Sequence, residues 1–325
     1  MYIKLERVNK NFGSNPVLQD ISFRVQGNEL LSFIGPSGVG KTTLLKIIAG
    51  LDKADSGQIY FEPKPSKKQP VILVFQDYVL FPNMTVYENI AFGLRSRKIK
   101  KGQIAAKVRS MLEYFHLEDN QEQYPAQLSA GQSQRVALAR AMIINPAVLL
   151  LDEPFANLDR NLKMETADFI RRTQREFGIP TISVTHDLEE AFAMSDKIGI
   201  MLAGQLQQFD TPLNVYFRPA NYQVARFLGP VNSIPASHYA LLGINADKAA
   251  YEQLYVRPEA LEIVSDPKGK GRVQEVHFAG HYIIYQVWLG KRYFTVYSLK
   301  QGYQPGDVVN LSLAGDHLVA SGIGK

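Results

Sequence analysis

The stretch that decides the fold of this chain is Gly35-Pro36-Ser37-Gly38-Val39-Gly40-Lys41-Thr42-Thr43. It follows a short apolar run, residues 29–34, that predicts a buried strand, and it leads into residues 42–50, whose apolar spacing and final glycine predict a helix. Glycines in such a strand-loop-helix setting let successive backbone N–H groups point at phosphate oxygens. The stretch therefore predicts a phosphate-binding loop, in preference to a glycine-rich turn that binds nothing.

Two side chains of this loop have predicted roles in holding a nucleoside triphosphate and its metal. In the pattern G-x-x-x-x-G-K-T, Lys41 reaches the β- and γ-phosphates, and the Thr42 hydroxyl is a ligand of Mg²⁺. The start of the helix adds roughly half a positive charge to the same place.

A second predicted strand ends in two acids. Residues 147–151 are apolar throughout and run directly into Asp152 and Glu153. A strand that is apolar on both faces fits a parallel sheet covered by helices, and catalytic groups of such sheets lie at the carboxyl ends of strands. We expect Asp152 to hold the Mg²⁺ shell and Glu153 to polarise an attacking water, with a solvated strand end as the alternative.

Two further polar side chains follow apolar runs at the same predicted edge of the sheet. His186 follows residues 180–185, and Gln76 follows residues 71–75. Either side chain could hydrogen-bond the γ-phosphate or the attacking water. A lone histidine is usually structural and a lone glutamine is almost uninformative, so both assignments rest on their neighbours.

The motif Leu128-Ser129-Ala130-Gly131-Gln132 is the second signature of the chain. Ser129 can cap a helix that begins near Gly131, so that its hydroxyl and the free N–H groups face an anion. One chain cannot easily bring this helix and Lys41 to the same phosphate.

Residues 128–141 resemble the signature segment of the ATP-binding-cassette family, and the resemblance covers roughly residues 1–230. It implies an α/β P-loop NTPase fold with ATP and Mg²⁺ as cofactors. The matching positions are Asp152 and Glu153 for the magnesium and catalytic carboxylates, residues 157–159 with Asp159 for the D-loop, His186 for the switch histidine, Gln76 for the Q-loop and Phe12 for an aromatic ring against adenine. We expect Thr42, Gln76 and Asp152 at the metal, and Glu153, His186 and Gln76 in catalysis.

The resemblance also implies a head-to-tail homodimer with two ATPs sandwiched between the chains. Each nucleotide site would use residues 35–43 of one chain, and Ser129 to Gln132 of the other.

Where the family has glycine, this chain has Ala130. If that position needs a positive φ or a very close approach to phosphate, alanine costs roughly 1–2 kcal/mol, and Ala130→Gly should raise ATP turnover.

Composition excludes several classes of chemistry. The chain has no cysteine among its 325 residues, so no disulfide, thiol nucleophile or cysteine-ligated metal is possible. Its net charge is +5, but the basic clusters at 64–68 and 95–101 lack the interleaved aromatics of a nucleic-acid platform and are better explained as solvated loops. We found no signal-peptide core and no apolar run of roughly 20 residues that would span a membrane.

Two domains are predicted. Residues 1–230 form the nucleotide-binding domain, whose strand-helix alternation is interrupted by a helical subdomain at about 83–146. Within it Thr85 and Glu88 predict a capping box, and residues 78–82 predict either an exposed apolar partner surface or core. Residues 231–325 show short alternating runs with turns, which predict a small all-β, oligonucleotide-binding-like (OB-like) domain. His277 and His281 lack nearby partner ligands, which disfavours a metal site there.

This β tail narrows the resemblance to the ATPase subunits of bacterial importers of the maltose, sulfate, iron and polyamine types. Residues 255–261 and 81–90 are similar to segments of that group. The resemblance implies an ATP-hydrolysing importer subunit at the cytoplasmic face of the inner membrane. Its expected partners are two transmembrane permease subunits and, indirectly, a substrate-binding protein, with no nucleic acid.

A small anion, a metal or a polyamine is favoured over a sugar as the cargo. The alternatives are a cassette ATPase that acts on nucleic acid, and a plain P-loop kinase or GTPase. The chain has no Asn-Lys-x-Asp guanine-binding tetrapeptide.

Overall fold

A computed structural model describes residues 2–97, 99–156, 158–244, 253–314 and 318–321. The chain divides after Pro212 into two compact units, which are described one at a time. The predicted domain boundary after residue 230 stays a prediction.

The strands are β1 Tyr2–Phe12, β2 Asn15–Gln26, β3 Leu30–Ile34, β4 Ser56–Glu62, β5 Val71–Val74, β6 Val148–Asp152, β7 Thr181–Thr185, β8 Lys197–Leu202, β9 Gln205–Asp210, β10 Asn232–Pro235, β11 Gln253–Val256, β12 Leu261–Ser265, β13 Gly271–Phe278, β14 Ile283–Leu289, β15 Arg292–Ser298, β16 Val308–Leu313 and β17 Leu318–Ser321. The helices are α1 Lys41–Ile48, α2 Val86–Ser96, α3 Lys101–Phe115, α4 Ala130–Met142, α5 Arg160–Phe177, α6 Leu188–Met194, α7 Pro212–Phe217 and α8 Tyr222–Phe227.

The central sheet of the first unit has the strand order β5-β6-β7-β3-β8-β9. Neighbours from β5 to β8 pair in parallel, and only β9 is antiparallel to its neighbour. Every residue of β3, β6 and β7 is buried, as expected for strands covered on both faces, although β7 includes the polar residues Thr181, Ser183 and Thr185. Because these strands are parallel, the residues that follow each of them meet at one edge of the sheet.

A second sheet, ordered β2-β1-β4 and antiparallel, was not predicted. Its inward residues, among them Ile3, Leu5 and Val8, share one core with Phe33 of the central sheet and with Leu44 of α1. Helix α1 therefore packs in the same core as both sheets, and this fixes the position of the loop that precedes it.

Three helices, α2, α3 and α4, fill the interval between β5 and β6 as predicted. The capping box at α2 is confirmed: the Glu88 N–H donates to Thr85 Oγ1 at 3.2 Å, and the Thr85 N–H donates to Glu88 Oε2 at 3.1 Å. The segment that precedes α2 is split, since Tyr78 is buried whereas Val79 is 56% exposed. The prediction of an exposed apolar surface is therefore wrong for Tyr78, whose ring belongs to the core of this helical part.

The second unit begins with the two short helices α7 and α8 and continues as antiparallel strands. These form a five-stranded sheet, β12-β16-β13-β14-β15, and a three-stranded sheet, β10-β11-β17. Its core contains Tyr285, Phe294 and the buried aliphatic side chains around them. The expectation that His277 has no nearby partner ligand is wrong, because its Nε2 lies 3.3 Å from Glu275 Oε2, and both side chains are exposed. Among the described residues, no cluster of three or more acidic, histidine or cysteine side chains could hold a metal.

Candidate functional site

The loop between β3 and α1 can be built only with glycine at several positions. Gly38 and Gly40 have φ values of 79° and 105°, which belong to the left-handed region that residues with a side chain rarely adopt. A Cβ atom on Gly40 would also lie 2.7 Å from the carbonyl oxygen of Val17, and one on Gly35 would lie 2.2 Å from that of Met201. Close packing against backbone therefore explains Gly35 and Gly40, and the left-handed conformation alone explains Gly38.

Lys41 lies with its ammonium group inside this loop. Its Nζ donates to the carbonyl oxygens of Gly35 at 2.7 Å and Pro36 at 3.0 Å, and the side chain is only 5% exposed. Burial lowers the pKa of Lys41, while the charges of Glu153 and Asp152 oppose that shift. An ammonium carries three N–H donors, so two carbonyls do not exhaust its capacity and it can also bind a phosphate oxygen.

Thr42 and Asp152 are joined directly. The Thr42 hydroxyl donates to Asp152 Oδ1 at 2.9 Å, which ties the phosphate loop to the end of β6. Burial raises the pKa of Asp152, and the hydrogen bond from Thr42 works against this shift. A hydroxyl and a carboxylate side by side at the mouth of the loop are hard oxygen ligands of the kind that Mg²⁺ prefers. The pair therefore fits a bound Mg²⁺, which would favour the charged form of Asp152.

Glu153 and His186 meet at the same edge. Glu153 Oε2 lies 3.3 Å from His186 Nδ1. The Glu153 N–H donates to the Val184 carbonyl at 3.0 Å, so β7 holds the backbone from which the carboxylate projects. Glu153 has φ 46°, a strained value for a residue with a side chain. Strain of this kind persists only where the surroundings enforce it, and it is common at functional sites.

The turn that carries His186 is fixed by a polar network. Thr185 Oγ1 donates to Glu190 Oε2 at 2.5 Å and accepts from the Asp187 N–H at 3.0 Å. The Lys163 ammonium on α5 lies 2.9 Å from Glu190 Oε1 and 3.3 Å from Asp187 Oδ2. Burial raises the pKa of Glu190, and hydrogen bonds to it from Thr185 and Lys163 oppose the shift.

Sequence reasoning missed Lys163 and Glu190. They stand far apart in the sequence and belong to no recognised motif. Because α5 and α6 each present one partner, only the fold reveals the pair.

Gln76 and Phe12 occupy positions consistent with their predicted roles. Gln76 is exposed just beyond the end of β5, beside the end of β6, since Val74 pairs with Leu151. Phe12 ends β1 with its ring 54% exposed, and the Lys10 ammonium lies 5.2 Å from the ring centroid. The hairpin formed by β1 and β2 also supplies the Val17 carbonyl that packs against Gly40. An aromatic ring thus stands on the hairpin that touches the phosphate loop.

The second motif begins α4. The Gln132 N–H donates to Ser129 Oγ at 3.2 Å, and the Ser129 N–H donates to Gln132 Oε1 at 2.8 Å, so Ser129 caps the helix as predicted. Ser129 and Ala130 are exposed, and Gly131 and Gln132 are partly so. Asp159 is likewise a helix cap, because its Oδ1 accepts from the Leu162 N–H at 3.0 Å at the start of α5. Asn157 of the predicted D-loop lies outside the described residues.

One of the two reasons for expecting an energetic cost of alanine at position 130 is wrong. Ala130 is the first residue of α4 and is absent from the residues with positive φ, so its backbone is helical and carries no left-handed strain. Only the second reason, close approach of its methyl group to a phosphate, stays a prediction.

Comparisons with known proteins agree with this geometry. The ABC transporter family matches residues 18–156, and the TOBE domain family matches residues 254–320. A spermidine/putrescine import ATP-binding protein PotA from Nitratidesulfovibrio vulgaris is 38% identical over 95% of this chain and 94% of its own length. A sulfate/thiosulfate import ATP-binding protein CysA from Xanthomonas campestris is 43% identical over 83% of each chain.

Solved structures extend the likeness to the fold. CbiO1 from Clostridium perfringens, part of the ABC transporter complex CbiONQ, has a TM-score of 0.62 and 31% identity, over 66% of this chain and 89% of its own. The dimeric cassette MJ0796 in a post-hydrolysis state, bound to ADP and phosphate, has a TM-score of 0.58 and 28% identity, over 65% and 98%.

A P-loop ATPase with a helical insert and a C-terminal all-β domain is the class that fold and site define, so the predicted fold class is confirmed. The chain belongs to the ABC transporter family, within which it is an ATP-binding and ATP-hydrolysing subunit of the importer type with a C-terminal TOBE domain.

We expect Ala130→Gly to raise ATP turnover, because it removes the methyl group that would meet a phosphate at the start of α4. The gain should be a few-fold, measured as kcat of the purified chain. Ala105→Gly is the matched control, since Ala105 is an exposed helical alanine in α3 and its replacement carries the same loss of helix propensity, at most about 1 kcal/mol. Unchanged turnover in Ala130→Gly, with folding intact, would show that alanine is tolerated without cost.

Proposed function

We propose that the edge where β3, β6 and β7 end is a Mg²⁺-dependent ATP-hydrolysis site. The observation that carries this proposal is the double link across that edge: Thr42 to Asp152 at 2.9 Å, and Glu153 to His186 at 3.3 Å. Two carboxylates, an ammonium, a hydroxyl and an imidazole are thereby gathered around a loop that can bind phosphate.

Each side chain then has a definite task. Residues 35–43 bind the phosphates through backbone N–H groups, and Lys41 adds its ammonium at the β- and γ-phosphates. Thr42, Asp152 and Gln76 hold Mg²⁺, whose chemistry is to neutralise charge that develops on the phosphates. Glu153 orients and polarises the attacking water, and His186, positioned by its contact with Glu153, hydrogen-bonds the γ-phosphate. Phe12 stacks on the adenine.

A second copy of the chain completes each site in this proposal. Ser129 and Ala130 are exposed at the start of α4, a thirteen-residue helix. The first turn of a helix has backbone N–H groups that no intrahelical carbonyl accepts. These groups, with Asp159, would bind the nucleotide held by the partner's phosphate loop. The dimeric state of the related cassette MJ0796 supports this arrangement.

The proposed roles predict a clear phenotype for two substitutions. Glu153→Gln should retain ATP binding and lose at least about a hundredfold in hydrolysis, since removal of a catalytic acid–base group costs 10²–10⁴ in rate. ATP should then hold it as a dimer. His186→Ala should behave similarly. Phosphate release, nucleotide binding and light scattering are the measurements, and Glu113→Gln, an exposed helical glutamate of α3, is the matched control.

Hydrolysis at the parent rate in either variant would refute the role proposed for that residue. A monomeric Glu153→Gln variant in saturating ATP would refute the shared site.

We also propose that the helical part binds two transmembrane permease subunits at the cytoplasmic face of the bacterial inner membrane. Among the described residues, none of the helices has the length and apolar character that a membrane span requires. Phe75, Val79 and Phe92 are apolar and exposed by 38%, 56% and 41%. The neighbouring backbone is held firmly, because the Asn89 side chain bonds both the N–H and the carbonyl of Phe81. These three exposed side chains, here called the apolar patch, suit a partner surface.

Phe92→Asp should abolish copurification of the permease subunits without changing nucleotide affinity. The reason is that the substitution places a charge in the apolar patch but touches nothing in the phosphate loop. Leu299→Asp is the control, since Leu299 is 83% exposed in the second unit and lies outside the patch. Recovery of nucleic acid instead of two polytopic membrane proteins by the parent chain would favour a cassette ATPase of a different function.

The proposed cargo is a small charged solute of the polyamine or oxyanion type, handed to the permease by a substrate-binding protein. Support comes from relatives named for spermidine and putrescine or for sulfate and thiosulfate. Deletion of the chain from its host should abolish uptake of labelled putrescine or labelled sulfate, and the parent gene should restore it while Glu153→Gln does not. Loss of maltose uptake instead would identify a sugar importer.

A further inference from the structure

One backbone carbonyl beside Glu153 accepts hydrogen bonds from two different elements. The Pro154 oxygen accepts from Gln134 Nε2 at 2.8 Å and from the Tyr78 hydroxyl at 3.0 Å. Gln134 belongs to α4, the helix that Ser129 caps, and Tyr78 follows Gln76 by two residues. Three functional segments of the chain therefore converge on this oxygen atom.

Both donors are fixed by their surroundings. Gln134 is 1% exposed and Tyr78 is 6% exposed. Burial raises the pKa of Tyr78 to about 12, so its hydroxyl remains protonated and can donate throughout the physiological range. The other amide atom of Gln134, Oε1, has no hydrogen-bond partner among the described residues. A buried amide oxygen without a partner is unfavourable, so stability alone does not explain a glutamine at this position.

The two turns connected through this carbonyl are both strained. Glu153 has φ 46°, while Tyr78 and Val79 have φ values of 57° and 38°. Such conformations are energetically unfavourable and need outside support to persist. Arg140, six residues beyond Gln134 on α4, supplies part of that support, since its Nη2 donates to the Tyr78 carbonyl at 3.0 Å. Helix α4 thus holds both strained turns at once.

We propose that Tyr78 and Gln134 are positioning residues that set the direction of the Glu153 carboxylate. Through the Pro154 carbonyl they make the orientation of Glu153 depend on where α4 and the Gln76 segment lie. This proposal rests on the proposed role of Glu153 in hydrolysis. The competing explanation is that both hydrogen bonds only add stability to the fold.

The experiment compares Tyr78→Phe, Gln134→Met and the parent chain. Each substitution keeps the size of the side chain and removes one donor to Pro154. A net hydrogen bond contributes roughly 1 kcal/mol, so we expect kcat to fall about fivefold in each variant. The KM for ATP and the Kd of nucleotide should stay within twofold, because the phosphate loop is untouched. All rates are measured well below the unfolding temperature of every variant.

Tyr285→Phe provides the matched control. Tyr285 is also buried, and its hydroxyl donates to the Lys300 carbonyl at the same 3.0 Å, but in the second unit. It should lower the unfolding temperature to a similar extent and leave kcat unchanged. A kcat that stays at the parent value in both Tyr78→Phe and Gln134→Met overturns the proposal, even if both variants are less stable. Equal losses in kcat and in nucleotide affinity, or an equal fall in kcat in Tyr285→Phe, overturn it as well.

Glu153→Gln in the same assay distinguishes failure of the proposed role of Glu153 from failure of the positioning role of Tyr78 and Gln134. If it hydrolyses ATP at the parent rate, the proposed role of Glu153 itself fails. If Glu153→Gln is inactive while Tyr78→Phe and Gln134→Met keep the parent kcat, the role of Glu153 stands and only the positioning proposal fails.

Discussion

The parallel register of β3, β6 and β7 is the constraint on which the rest of the site depends. Ile34 at the end of β3 pairs with Thr185, and Asp152 at the end of β6 pairs with Val184, so the three strands end within one residue of one another. Groups that follow the strands in the sequence, far apart along the chain, are thereby placed within hydrogen-bonding distance. Nothing local to either residue explains the contact between Thr42 and Asp152; the alignment of the strands does. The geometry of the candidate site is therefore a consequence of sheet pairing, which burial of these strands stabilises.

Sequence reasoning succeeded where the physical signal was local. The strands β3 and β6 are apolar at four of their five positions, and four of the five residues of β7 are β-branched. The caps at Thr85 and Ser129 are short-range patterns with a clear mechanism. It failed for β1, because the pairing of β1 with β2 shifts register at three places between Leu5 and Asn11 and Arg7 has φ 47°. Bulges of this kind interrupt the two-residue alternation by which a half-buried strand is recognised.

The residues of the candidate site fall into the same two groups, those that a local motif marks and those that only tertiary packing brings together. Residues within a contiguous motif, such as Lys41 and Asp152, could be predicted because the motif fixes both spacing and chemistry. The hydrogen bond from Tyr78 to Pro154 joins residues 76 positions apart, and neither residue type is informative alone. Lys163 and Glu190 are a similar case. Supporting residues of an active site are therefore the part that spacing cannot supply, since their partners are chosen by tertiary packing.

Helix α4 connects the two halves of the proposed mechanism by a very short path. Its exposed start would bind the nucleotide of a second copy, while Gln134, about one turn further along, holds the carbonyl next to Glu153. One turn of helix is roughly 5.4 Å long and does not stretch appreciably. A shift of the helix on nucleotide binding would therefore be passed almost unchanged to the segment that carries Glu153, the proposed catalytic carboxylate. Hydrolysis would then depend on closure of the dimer, because the helix that binds the second copy's nucleotide also positions Glu153.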